Sequence, residues 1–237
     1  MQKYLSYFTK WEKALWLCSV GVIFVFFVLF DGEGWLNLIA SLIGVTSLIF
    51  LAKGNPFGNV LMIVFSLLYA VISFSFLYYG EMITYLGMTA PMAVFSLVSW
   101  LKNPYGKSKS QVKVREMTSK IFIGGAVLSV IVTVIFYFIL KALNTANIVP
   151  STVSVLTSFF AAYLTFMRTP YFPLAYAFND MVLIVMWIMA AKEDTSYISV
   201  IVCFCVFLVN DLYGFINWCK MRKQQKAQKA GDLSFSP

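Results

Sequence analysis

No histidine occurs among the 237 residues of this chain. The commonest general base and the commonest nitrogen ligand for a transition metal are therefore missing. Only four cysteines are present, Cys18, Cys203, Cys205 and Cys219, each in or beside an apolar run. Cys203 and Cys205 fall on different faces of a helix, and the set supports neither a disulfide framework nor a metal site. These thiols are expected to pack as small apolar groups. There is no Gly-rich phosphate loop. Charge is scarce too: Asp, Glu, Lys and Arg make up 12% of the chain, against about 25% in a soluble domain. These gaps leave little for an enzyme to work with, and no cofactor is expected.

What fills the chain instead is apolar: 60% of residues are hydrophobic and 18% aromatic, and the mean hydropathy is +0.81. A helix crossing about 30 Å of hydrocarbon needs about 20 apolar residues. Eight runs approach that length: 14–30, 35–52, 57–79, 82–101, 121–140, 149–167, 171–191 and 197–219. They are continuous rather than alternating, so helices are expected and barrel strands are not. The first run is short, and its length leaves open whether it spans fully. Lys3, Lys10 and Lys13 precede it as in a signal peptide, but Phe30-Asp31-Gly32-Glu33 offers no small-residue cleavage site, so it is read as retained.

The net charge of +8 raises the question of nucleic acid, but the basic residues sort by topology instead. With the N-terminus inside and eight spans, 16 of the 18 basic residues fall on the inner side, leaving Lys141 and Lys192 outside. The outer turns carry Asp31, Glu33, Glu81, Glu193 and Asp194. This asymmetry predicts a multi-pass membrane protein with both termini cytoplasmic, embedded in lipid and binding no nucleic acid. Trp11, Trp35, Tyr78, Tyr79, Trp100, Tyr105, Tyr197 and Trp218 lie near run ends, as interfacial aromatics do. Residues 102–120 read as a topogenic loop, and the polar tail from Lys220 to Pro237 as disordered at its end.

Runs two to four resemble runs six to eight. Each triplet starts outside and has a basic residue at its first inner turn, Lys53 or Arg168, with Pro56 or Pro170 close behind. Each ends on Trp-x-Lys, at Trp100-Leu101-Lys102 and Trp218-Cys219-Lys220. One linking span between two triplets makes the repeats parallel, an arrangement that places a transport site between halves near the midplane. The expected fold is an all-α polytopic membrane protein on a 3+1+3 plan with an extra N-terminal helix. Its parts are an extra helix (1–34), a first repeat (35–102), a loop with linker helix (103–148), a second repeat (149–222) and a basic tail (223–237).

Two Asn-Asp pairs interrupt the apolar runs, Asn179-Asp180 and Asn210-Asp211. An aspartate at the bilayer centre costs about 2.5–3.5 kcal/mol on insertion scales, so each needs a reason. Both pairs sit about eight residues from the inner ends of antiparallel spans, hence at one depth, about 12 Å in. Helical spacing adds Trp187 to the face of Asp180, and places Asn210, Tyr213 and Asn217 on one stripe. In the first repeat Tyr85, Thr89, Met92 and Ser96 follow similar spacing, with Pro91 as a kink. Amides, carboxyls and aromatic walls suit a flat, polar, cationic ring. Interhelical hydrogen bonding is the alternative role for the same groups. The aspartates could also relay protons for a carrier of another vitamin or nucleoside. An aspartyl protease dyad is disfavoured because neither acid has a Gly-rich setting.

Several stretches together resemble the PnuC family of nicotinamide riboside transporters, related in architecture to the SWEET sugar transporters. They are Tyr79-Gly80-Glu81-Met82 with Tyr85-Leu86-Gly87-Met88-Thr89, Trp100-Leu101-Lys102-Asn103-Pro104, Arg168-Thr169-Pro170-Tyr171, Asn179-Asp180-Met181-Val182-Leu183-Ile184, and Asn210 through Trp218. The likeness spans about residues 35–222. It implies import of nicotinamide riboside, an NAD precursor (a form of vitamin B3), by facilitated diffusion with alternating access, and a homotrimer. It also implies phosphorylation in the cytoplasm to trap the product.

Overall fold

The computed structural model describes residues 7–32, 34–75, 79–106, 110–145, 147–192 and 194–234. The expectations placed on Lys3, Glu33, Tyr78, Lys107, Lys109 and Glu193 fall outside these residues. Within them are eight helices long and apolar enough to cross a membrane. They are α1 (Lys10–Phe30), α2 (Trp35–Ala52), α3 (Phe57–Ser75), α4 (Tyr79–Leu101), α5 (Ser119–Ala142), α6 (Ile148–Phe166), α7 (Phe172–Ala190) and α8 (Ile198–Ser234). No β-strand occurs among the described residues, apart from an isolated bridge between Pro104 and Val112.

Six helices close into a ring. Within each triplet, neighbours pack in order: α2 on α3 on α4, and α6 on α7 on α8. The ring then closes by α4 against α6 and by α8 against α2. The remaining two helices lie outside it, α1 against the α2–α8 seam and α5 against α6. This order is consistent with two parallel repeats and a linker.

The hydrogen bonds between the halves repeat in the same way. Trp100 Nε1 donates to the Thr165 carbonyl at 2.9 Å, and Trp218 Nε1 donates to the Leu51 carbonyl at 2.8 Å. Ser99 Oγ donates to the Phe166 carbonyl at 2.8 Å, and Asn217 Nδ2 to the Ala52 carbonyl at 2.7 Å. Those four carbonyls lie in the last turns of α2 and α6, where the helix itself runs out of donors; Leu51 and Thr165 share the side-chain donor with a backbone N–H of the turn that follows. Each half thus satisfies the open helix end of the other. The two tryptophan rings meet at 5.4 Å, and Phe172 stands 4.9 Å from Trp218. All three side chains are buried.

The turns after α2 and α6 are also matched. Gly54 (φ +66°) and Arg168 (φ +59°) are both left-handed. In each, two backbone bonds close a Schellman cap: Gly54 N–H to Leu51 and Asn55 N–H to Phe50, then Arg168 N–H to Thr165 and Thr169 N–H to Leu164. The match pairs Arg168 with Gly54 rather than with Lys53, one residue from the alignment read in the sequence. Burial and the neighbouring Arg115 push the Arg168 guanidinium below its ordinary value.

Three boundaries differ from expectation. Helix α4 begins at Tyr79, so Glu81 lies in its first turn rather than in an outer loop. Gly80 permits this start, because a Cβ there would lie 2.8 Å from Leu140. Pro91 follows a π-helical stretch, Tyr85–Thr89, whose closing N–H of Ala90 reaches Tyr85. The π turn takes up the irregularity expected at that proline, and such turns recur at functional sites. Finally, α8 does not give way to a tail near Cys219: it runs for 37 residues to Ser234. Lys, Gln and Ala are strong helix formers, so the polar sequence extends the helix past the bilayer.

That extension is tied down by the segment before α5. Val112 N–H donates to Gly54 at 2.9 Å, and Arg115 N–H donates to Arg168 at 3.0 Å. The amide of Gln225 accepts from Val114 N–H at 2.9 Å and donates to the Val112 carbonyl at 3.1 Å. Lys226 pairs with Glu116 at 3.0 Å. The expected plain loop is therefore a strap across equivalent turns of both triplets.

At the same basic end, α1 is anchored by a capping box between Thr9 and Glu12. Glu12 is 2% exposed. Its carboxylate receives Lys53 Nζ at 3.0 Å and the Tyr213 hydroxyl at 2.9 Å.

Candidate functional site

The ring encloses a cavity of about 110 Å³ to which all six helices contribute. Helix α7 supplies the most polar wall. Asn179, Asp180, Leu183 and Trp187 all face the cavity, following the i, i+3/i+4, i+7 spacing read from sequence. Asp211 faces it from α8, and Tyr85 and Thr89 from the π turn of α4. Asp180 and Asp211 are 4% and 5% exposed, and their carboxyls are in hydrogen-bond contact. Thr157 donates to Asn179 Oδ1 at 2.7 Å and orients that amide.

Three buried atoms in this wall find no partner among the described residues: Asp180 Oδ2, Trp187 Nε1 and Thr145 Oγ1. A buried group left unsatisfied costs about 1–3 kcal/mol, which a polar ligand recovers. No Lys or Arg side chain among the described residues lines the cavity. Its aromatic side is built around Tyr85, packed 4.8 Å from Tyr69 and 6.1 Å from Phe65.

Five residues singled out in the sequence stand elsewhere. Met92 and Ser96 line a separate small cavity with Asn59 and Thr165. Asn210 Nδ2 donates to Ser19 Oγ of α1 at 2.9 Å and to the Val206 carbonyl at 2.8 Å. Tyr213 is bound to Glu12, and Asn217 to α2. Adjacent residues on a helix point about 100° apart. With Asp211 aimed inward, the stripe of Asn210, Tyr213 and Asn217 therefore meets α1 and α2. We expect Asn210→Ala to lower the melting temperature while leaving ligand affinity within about twofold, since only the α1 bond is lost. Paired melting and calorimetric titrations check this, and a large loss of affinity at unchanged stability would return Asn210 to the site.

The sequence reading missed Glu81 and Thr84 on α4, and Ser151, Ser154 and Ser158 on α6, all in the cavity wall. The serines were legible: they recur at i, i+3 and i+7 on an apolar helix. Glu81 was hidden by the assignment of its turn to a loop.

The sequence model of a family described as nicotinamide mononucleotide transporter matches residues 34–220. A protein of Neisseria mucosa named nicotinamide riboside transporter PnuC is 26% identical over 221 residues, covering 91% of this chain and 84% of that one. The crystal structure of the vitamin B3 transporter PnuC superposes with a TM-score of 0.79 at 25% identity, covering 92% of this chain and 94% of the other. The match takes in the ring, the strap and every residue of the cavity wall.

Proposed function

We propose a substrate and a mechanism from one premise: this chain belongs to the nicotinamide mononucleotide transporter family. The substrate is nicotinamide riboside rather than its mononucleotide. The observation that carries this choice is the chemistry of the wall, which holds the carboxyls of Asp180, Asp211 and Glu81 and, among the described residues, no cationic side chain. A pyridinium is attracted by carboxylates and aromatic faces. A phosphate placed among carboxyls is repelled, at a cost of several kcal/mol. The unpartnered Asp180, Trp187 and Thr145 atoms offer hydrogen bonds to ribose and carboxamide.

Import proceeds by alternating access. The basic end, with Lys53, Arg168 and the α8 extension, is the cytoplasmic one, following the distribution of Lys and Arg. The packed rings of Trp100, Trp218 and Phe172 serve as the gate at that end. Opening it breaks the reciprocal bonds between the halves and remakes equivalent contacts at the other end. Movement is facilitated diffusion, trapped by phosphorylation inside, and the assembly is a homotrimer; both follow the PnuC resemblance.

Titration calorimetry on detergent-purified protein tests the substrate. Nicotinamide riboside should bind at least about a hundredfold more tightly than the mononucleotide, given that repulsion. Nicotinamide, thiamine and adenosine serve as further competitors. Equal or tighter binding of the mononucleotide would sink the assignment. The Asp180–Asp211 contact favours one second reading, a proton-coupled carrier. Uptake into vesicles accelerated by an imposed pH gradient would select it over facilitated diffusion.

A further inference from the structure

A second, larger cavity lies at the acidic end, of about 440 Å³. That is within the range of small-molecule sites, about 300–1,000 Å³, whereas the central cavity is smaller than that range. Asp31, at the end of α1, and Asp194, before α8, line it together with Glu81. Tyr69, Trp187 and Tyr197 supply its aromatic surface, with the Trp187 and Tyr197 rings 5.2 Å apart. Among the described residues, no Lys or Arg side chain lines it. Glu81 and Trp187 also belong to the wall of the central cavity, so the two spaces meet at these residues. Trp187 independently points to a ligand here. Its side chain is 7% exposed, and its indole N–H has no acceptor among the described residues.

We propose that this cavity is a second, outer binding site for an aromatic organic cation, which collects substrate before it enters the central cavity. Asp31 and Asp194, with no Lys or Arg beside them among the described residues, make a negative funnel, and such funnels raise the capture rate of an oppositely charged ligand. The aromatic faces then hold a flat cation against Trp187. Asp31 comes from α1, outside the six-helix ring. That helix therefore contributes to capture as well as to packing. The inference rests on the proposed import of nicotinamide riboside.

The test is uptake into right-side-out membrane vesicles by wild type and by the double variant Asp31→Asn, Asp194→Asn. Both replacements keep their hydrogen bonds, because asparagine can still accept from Asn37 Nδ2 and from Ser196 N–H. Uptake of nicotinamide riboside below saturation should fall about three- to tenfold. Its sensitivity to added salt should shrink, with the maximal rate unchanged. Uptake of dihydronicotinamide riboside, which has nearly the same shape and no charge, should be the same in both proteins. Unchanged uptake of the cation by the variant, or equal loss for both compounds, overturns the outer site alone. A wild type that transports neither compound overturns the proposed function, and the outer site with it.

Discussion

Replacing Trp187 with alanine should weaken nicotinamide riboside binding by about a hundredfold. A cation–π contact away from water is worth about 2 kcal/mol, and a hydrogen bond from the indole N–H adds about 0.5–1.5 kcal/mol. Together these approach the 2.7 kcal/mol that corresponds to a factor of a hundred. Trp187 sits where both cavities meet, and its N–H is unpartnered among the described residues. Its loss therefore falls on the ligand. Trp187→Phe separates the two contributions: it keeps an aromatic face, loses the donor, and should cost about tenfold or less. Calorimetry on both variants reads the outcome. Wild-type affinity in Trp187→Ala would remove this residue, and the cavity it lines, from the substrate path.

Trp218→Ala should have the largest effect on stability. Truncating a fully buried tryptophan costs about 3–5 kcal/mol. The Leu51 carbonyl loses the indole N–H but keeps the Gly54 N–H, so no unsatisfied group adds to that cost. At about 2–4 °C per kcal/mol for a chain of this size, the melting temperature should fall by at least about 6 °C. Trp218→Phe loses the donor but keeps most of the packing, and should fall by less than half as much. Trp218 does not line the central cavity. Protein kept folded at low temperature should therefore bind substrate normally. A melting temperature equal to wild type would show that the bonds between the halves contribute nothing to holding that end shut.

The spans were legible because a bilayer demands long apolar runs, and few other folds write them. The face of α7 was legible for a similar reason. Asp180, Leu183 and Trp187 recur at helical spacing, and all three reach the cavity. On α8 the same logic found a polar stripe but could not tell what it faces. Periodicity gives a direction on a helix, whereas the neighbour is set by tertiary packing. Here that neighbour is α1, whose Ser19 and Glu12 take up Asn210 and Tyr213. Glu12 drew no reading from the sequence, because nothing local reveals that Lys53, 41 residues on, will pair with it. The end of α8 was misread because Lys, Gln and Ala serve a solvated helix and a disordered tail equally well.

The strap before α5 sets a limit on how far the protein can move. It is bonded at Val112 to the turn of one triplet and at Arg115 to the matching turn of the other. An extended chain gains at most about 3.3–3.6 Å per residue, so three residues reach about 10 Å. While both bonds hold, the two turns cannot part by more than that reach and the length of the bonds themselves. The connector is then a leash of fixed length between the two triplets.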